Sequence, residues 1–286
     1  MMHIQSFFDT ASSTITYVVS DAETRQCAII DSVRDFNLYS GKLSSESAEN
    51  IIQYVKKSNL MVEWILETHA HADHLTAASY LKEKLGGKIA IGEHIKKVLS
   101  YWVPIFNTHS DTPTDGSQFD VLFSDGMQFK IGNLNVTVIH TPGHTPDCVS
   151  YHIEDAIFVG DTLFMPYVGT ARTDFPGGGA AILYRSIQKI LSLPDNTRIF
   201  TCHDYPPEGQ LPAWESTVAQ QKKNNSMIHA GITENEFVRA RDKKDFNKPV
   251  PKLVLPSIQM NLRAGKCGNV ESNQVHYIKI PINKIN

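Results

Sequence analysis

Thr68-His69-Ala70-His71-Ala72-Asp73-His74 places three imidazoles and a carboxylate within six residues, just past a short run, Trp64 to Leu66, that reads as a strand. Packing does not explain such a cluster. Imidazole nitrogen and carboxylate oxygen are the ligands that zinc and non-haem iron favour, and a loop leaving a strand end can turn several of them towards one point. A polar surface loop that happens to be rich in His is the competing reading, and the density of donors argues against it.

Working outward, two further donors stand at equivalent junctions. Val136 to His140 runs into Thr141-Pro142-Gly143-His144-Thr145, and Ala156 to Val159 into Gly160-Asp161-Thr162. The glycines before His144 and Asp161 are expected to let the backbone come close to a bound ion. A fourth junction, Phe200-Thr201-Cys202-His203-Asp204-Tyr205, adds another imidazole. Taken alone, each of these is weak, because a His after a strand is more often solvated or hydrogen-bonded than a ligand.

The frame around the junctions is mixed. Ile15 to Val19, Cys27 to Ile30, Lys88 to Ile91 and Arg198 to Phe200 join the runs above as expected strands. Between them, Ala48, Ile51, Ile52 and Val55 share one helical face, with Glu46 and Glu49 in the first turn and Lys56 and Lys57 in the last, as the helix dipole favours. Further helices are expected from about Leu75 to Leu85 and from Ala180 to Leu191. Alternation of this kind implies layered α/β or α+β architecture. Residues 1–230 read as one domain. Residues 231–286 read as an extension packed on it, with Thr233-Glu234-Asn235-Glu236 opening a polar helix and Pro249, Pro251 and Pro256 imposing extended chain afterwards.

The 27 basic and 30 acidic residues are scattered, leaving a formal charge of -3 and no basic stripe for nucleic acid or an anionic membrane. No apolar run reaches membrane-spanning length, and Met1 to Gln5 lacks the features of a signal peptide, so a cytoplasmic location is expected. Cys27, Cys148, Cys202 and Cys267 form no C-x-x-C and read as reduced thiols. Gly177-Gly178-Gly179 lacks the Lys and Ser/Thr of a phosphate loop and reads as a turn.

The ordered set H-x-H-x-D-H, G-H-T, G-D-T and a late His, complete here between His69 and His203, resembles the metallo-β-lactamase superfamily. That resemblance implies an αβ/βα sandwich of two facing mixed sheets flanked by helices, with metals at one edge. In dinuclear members the matching positions would give one metal to His69, His71 and His144 and another to Asp73, His74 and His203, with Asp161 bridging. Gly169 to Phe175, His203-Asp204-Tyr205 and Asn261-Leu262-Arg263-Ala264-Gly265 resemble persulfide dioxygenases, also called sulfur dioxygenases, and within them the bacterial β-lactamase-hydrolase-like subgroup.

That closer resemblance implies a single Fe(II) per chain on His69, His144 and Asp161, oxidising glutathione persulfide with O2 and water to glutathione and sulfite. His71, Asp73, His74 and His203 would then surround those three by hydrogen bonds, or else hold a second metal. Arg172 and Tyr205, with Arg263 third, are expected to hold glutathione; an ion pair between Arg172 and Asp174 is the structural alternative. The rival activity is a dinuclear zinc hydrolase of glyoxalase II type acting on an acyl-glutathione, and the non-enzymatic rival is a metal or redox sensor. A sulfurtransferase supplying the persulfide and a homo-oligomer stay open as partners. So does the role of an insert near residues 101–120, either an aromatic lid over the site or an oligomer contact.

Overall fold

In the computed structural model, which describes residues 1–285, the chain builds two six-stranded sheets. The N-terminal half contains β1 (Met2–Asp9), β2 (Thr14–Asp21), β3 (Gln26–Ile30), the short β4 (Val33–Arg34), β5 (Phe36–Asn37) and β6 (Lys42–Leu43), helix α1 (Glu46–Lys57), β7 (Met61–Leu66), β8 (Leu75–Thr76), α2 (Ala78–Leu85), β9 (Lys88–Gly92), α3 (Ile95–Phe106) and β10 (Val121–Phe123). The C-terminal half contains β11 (Gln128–Ile131), β12 (Leu134–His140), β13 (Val149–Ile153), β14 (Ala156–Phe158), α4 (Ala180–Leu191), β15 (Arg198–Phe200), β16 (Glu215–Thr217), α5 (Val218–Asn224), α6 (Glu234–Asp245) and α7 (Val254–Asn261). The sheet orders are β1-β2-β3-β7-β9-β10 and β11-β12-β13-β14-β15-β16. Both are mixed: β3, β7, β9 and β10 run parallel, and in the second sheet only β14 and β15 do.

Period-two alternation decides the layers. In β2, Ile15, Tyr17 and Val19 face the other sheet and meet Val136, Val138, Tyr151 and Phe158, whereas Val18 joins the outer cluster beneath α1, α2 and α3. The outer face of the second sheet, Ile157, Val159 and Ile199, is covered by Leu183, Ile187 and Ile190 of α4. This is the expected αβ/βα sandwich. The tail straddles it, because Phe237 of α6 packs in the α4 layer while Val254 and Ile258 of α7 pack in the α1–α3 layer.

Local chemistry mostly agrees with the sequence. Thr233 and Glu236 form the expected reciprocal cap of α6 (2.9 and 3.3 Å). Three expectations need correction. Leu75 and Thr76 pair with β4 as a strand, so α2 starts at Ala78. Pro256 does not impose extended chain; it sits in the first turn of α7, where its missing N–H has no intrahelical partner to lose. The supposed insert begins inside α3, whose Ile95, Val98, Leu99, Trp102, Val103 and Phe106 form one apolar stripe. Trp102 and Phe106 stack in the core with ring centroids 5.5 Å apart, so neither is an exposed lid.

Candidate metal centre

The four junctions found in the sequence lie at one edge of the sandwich. The loop after β7 carries His69 to His74, that after β12 carries His144, that after β14 carries Asp161, and that after β15 carries His203. A bridge between Thr14 and His203, and a 2.7 Å bond from Ile15 N–H to the Cys202 carbonyl, pin the two sheets together there. The glycines serve a different contact from the one expected. A Cβ on Gly143 would lie 2.4 Å from the Leu183 backbone, and one on Gly160 would lie 2.5 Å from Thr68 Oγ1, so both allow packing of protein against protein.

His69, His144 and Asp161 come together, with one donor atom from each lying within 4.8 Å of the others. Beside them His71, Asp73, His74 and His203 form a second such group, and Asp161 Oδ1 lies 3.4 Å from His203 Nε2. The donor geometry accommodates one metal or two.

Hydrogen bonds on the far side of each ring determine which nitrogen faces inward. His144 Nδ1 donates to the Arg172 carbonyl at 2.8 Å, which leaves Nε2 aimed at Asp161. Thr68 Oγ1 donates to Asp31 and so accepts from His69 Nδ1 at 3.1 Å, freeing His69 Nε2. Asp31 accepts from His71 Nε2 at 3.0 Å, Thr14 Oγ1 lies 3.3 Å from His74 Nδ1, and the Ser13 carbonyl accepts from His203 Nδ1 at 3.3 Å. His69 Nε2, His71 Nδ1, His74 Nε2, His203 Nε2 and Asp161 Oδ1 are then buried without a hydrogen-bond partner among the described residues. Orphaned polar atoms converging in this way would cost several kcal/mol unmet, and the set fits a divalent cation.

Electrostatics point the same way. Burial, reinforced by the neighbouring imidazoles, holds His69 well below the usual histidine range, so it stays neutral and ready to ligate. Burial opposes charge on His71, but Asp31 and Glu67 outweigh it and raise its imidazole, so a cation taking its Nδ1 lone pair must displace a proton. Burial would likewise raise Asp73, yet His203 and His74 hold its carboxyl well below the ordinary range.

Above the donors opens a cavity of about 450 Å³ lined by Asp73, His144, Asp161, Phe164, Arg172, Phe175 and Tyr205. Its other wall is the tail: Arg241, Lys244, Lys248 and Lys252. Arg172 reaches this cavity, but its guanidinium is already forked onto Asp174 (2.6 and 2.7 Å) and bonded to the Lys248 and Pro249 carbonyls, as the structural alternative anticipated. Tyr205 lines the cavity, half exposed and stacked along His203. Arg263 does not reach it. Asp111 takes its fork at 2.9 and 3.1 Å, and the Gln259 carbonyl takes a third donor. The three lysines went unnoticed in the sequence, where a four-residue spacing in a polar stretch reads as a solvated face.

Two facing sheets with a His/Asp donor cluster at their shared edge define a metal-binding αβ/βα sandwich. The chain belongs to the metallo-beta-lactamase superfamily, whose domain matches residues 10–203. It is 51% identical over 280 residues to a beta-lactamase hydrolase-like protein of Agrobacterium fabrum, covering 98% of this chain and 64% of that one, so the chain spans under two thirds of that relative. It is 48% identical to a Dictyostelium discoideum protein named glyoxylase B2 (98% and 97% covered), and 30% identical to the mitochondrial persulfide dioxygenase ETHE1 of Bos taurus (92% and 88%). Among solved structures, ETHE1 from Myxococcus xanthus superposes with a TM-score of 0.73 at 30% identity, covering 92% of this chain and 100% of that one. No helix among the described residues is long and apolar enough to cross a membrane.

Proposed function

We propose that this protein is a persulfide dioxygenase that binds one Fe(II) per chain through His69, His144 and Asp161. The observation that carries the reading is the donor set itself: two imidazoles and one carboxylate from three chain segments meet, and two of them, His144 and Asp161, line the cavity. Such a set leaves up to three positions of an octahedral ion free. Ferrous iron there would supply the redox centre at which a persulfide and dioxygen meet. In the overall reaction the sulfur–sulfur bond breaks, the terminal sulfur gives four electrons to O2, and O2 and water provide the three sulfite oxygens: glutathione persulfide + O2 + H2O gives glutathione + sulfite + 2 H+.

The residues around the donors suit an anionic tripeptide. Lys244, Lys248 and Lys252 on the tail wall would face the two carboxylates that glutathione carries, while Phe164 and Phe175 would give the reacting sulfur an apolar wall that limits water. Tyr205 is placed to add a directional hydroxyl contact. A relative bearing the persulfide dioxygenase name, matched over most of its length, supports the assignment, as does the superposition on the Myxococcus xanthus ETHE1 structure.

A dinuclear zinc hydrolase acting on an acyl-glutathione is the second reading, favoured by the group His71, Asp73, His74 and His203 and by the glyoxylase name of one relative. Metal analysis of protein prepared without oxygen, followed by an oxygen-electrode trace with glutathione persulfide, separates the two. One iron per chain with oxygen uptake and sulfite release supports the dioxygenase. Two zincs with thioester cleavage and no oxygen uptake overturn it.

A further inference from the structure

We propose that Asn261, in the tail, is a positioning residue that shapes the metal-binding loop; the inference rests on the metal centre described above and not on which reaction it performs. Between Glu67 and Ala77 the only regular structure is the two-residue β8, so most of the backbone must find partners elsewhere. Distant side chains supply them. Asp31 accepts from Thr68 N–H and Asp147 from Ala70 N–H, both at 2.8 Å. Asn261 supplies three more: its Nδ2 donates to the carbonyls of His71 and His74, and its Oδ1 accepts from Thr76 N–H, all at 2.8 Å.

Every side-chain polar group of Asn261 is thereby spent on the loop, and the two carbonyls it holds belong to His71 and His74 of the second donor group. Asn261 is 3% exposed, so nothing from solvent replaces it readily. The next residues tighten the contact: the Ala264 carbonyl accepts from Ser79 N–H at 3.1 Å, and a Cβ on Gly265 (φ +85°) would meet the Thr76 carbonyl at 2.8 Å. The tail therefore helps fix where the His71 and His74 rings sit.

The same helix offers a control. Gln259 is equally buried and also makes three side-chain hydrogen bonds, but to Leu255 and Lys279 instead of the loop. Asn261→Ala and Gln259→Ala are compared by chelator competition for Fe(II) and Zn(II), by melting of the metal-free protein, and by hydrogen exchange across residues 68–76. Asn261→Ala is expected to weaken metal binding about ten- to a hundredfold and speed exchange in the loop. Gln259→Ala should lower the melting temperature comparably yet leave affinity within about threefold. Should Asn261→Ala fail to fold, Asn261→Ser, which keeps one short polar group, must show the same selective loss at smaller size. Equal effects of the Asn261 and Gln259 variants on affinity, or a folded Asn261 variant with unchanged affinity, overturn the proposal. Wild-type protein that holds two zincs and consumes no oxygen would end the dioxygenase reading while leaving this comparison intact.

Discussion

Replacing Asp245 with alanine would show how firmly the tail is fixed to the cavity. The Arg241 guanidinium is 1% exposed and forks onto the Asp245 carboxylate, while its Nη1 donates to the Thr170 carbonyl at 3.0 Å. Asp245 Oδ2 also accepts from Thr173 N–H at 2.9 Å, next to the Arg172 carbonyl that orients His144. Alanine leaves a buried guanidinium with its carboxylate gone and frees the backbone beside His144. Removing one partner of a pair this deep costs about 3–5 kcal/mol, with no screening by solvent to reduce it. Against a total stability of about 5–15 kcal/mol, that is a large fraction. Urea unfolding followed by circular dichroism reads it directly: with a slope of about 3 kcal/mol/M the midpoint falls by roughly 1–1.7 M. The double variant Arg241→Met/Asp245→Leu, which leaves no buried charge, should recover most of the loss. A drop under about 1 kcal/mol for Asp245→Ala would refute the claim that this pair anchors the tail.

Lys248→Ala removes an exposed cavity lysine, so about 1 kcal/mol of substrate binding is lost and KM rises about fivefold with kcat unchanged; an equal fall in kcat would place Lys248 in the chemistry instead. The Asp21 carboxyl is brought down to about 2 by N–H groups of Asn133 and Glu23. Its unfolded value is about 3.9, so its contribution is complete above roughly pH 4 and is lost as pH falls through about 2. The melting-temperature gap between wild type and Asp21→Asn should be wider at pH 6 than at pH 3, and an equal gap would count against it. Gly143→Ala puts a methyl 2.4 Å from the Leu183 backbone at a φ of +140°, so α4 must shift; a loss of about 2–4 kcal/mol is expected in thermal melts, together with reduced metal content.

Much of this architecture could be read directly. The β-branched runs at Ile15 and Cys27 became strands buried on both faces, the run at Val136 one buried at alternate residues, and each donor residue stands where a strand run stops. The donors were visible because ligation needs particular atoms, and few other roles demand so many imidazoles together. Substrate contacts were harder. Arg172 and Arg263 carry the same side chain, but whether a guanidinium is free depends on carboxylates the fold brings near, and Asp111 lies 152 residues from Arg263. Lys248 carried no signal, since a solvated lysine and a cavity lysine share the same local pattern. Asn261 was seen only as part of a motif, because its partners lie 185 or more residues earlier in the chain.

That separation has a consequence for biosynthesis. The polypeptide must have left the ribosome beyond residue 203 before its last imidazole donor exists, and beyond residue 261 before the loop at His71 acquires its amide brace. A metal whose site depends on the braced loop would thus be taken up only after residue 261 has emerged. The occupant would then be selected by the ions the folding protein meets, and starvation for the right one would leave folded but empty molecules instead of truncated ones.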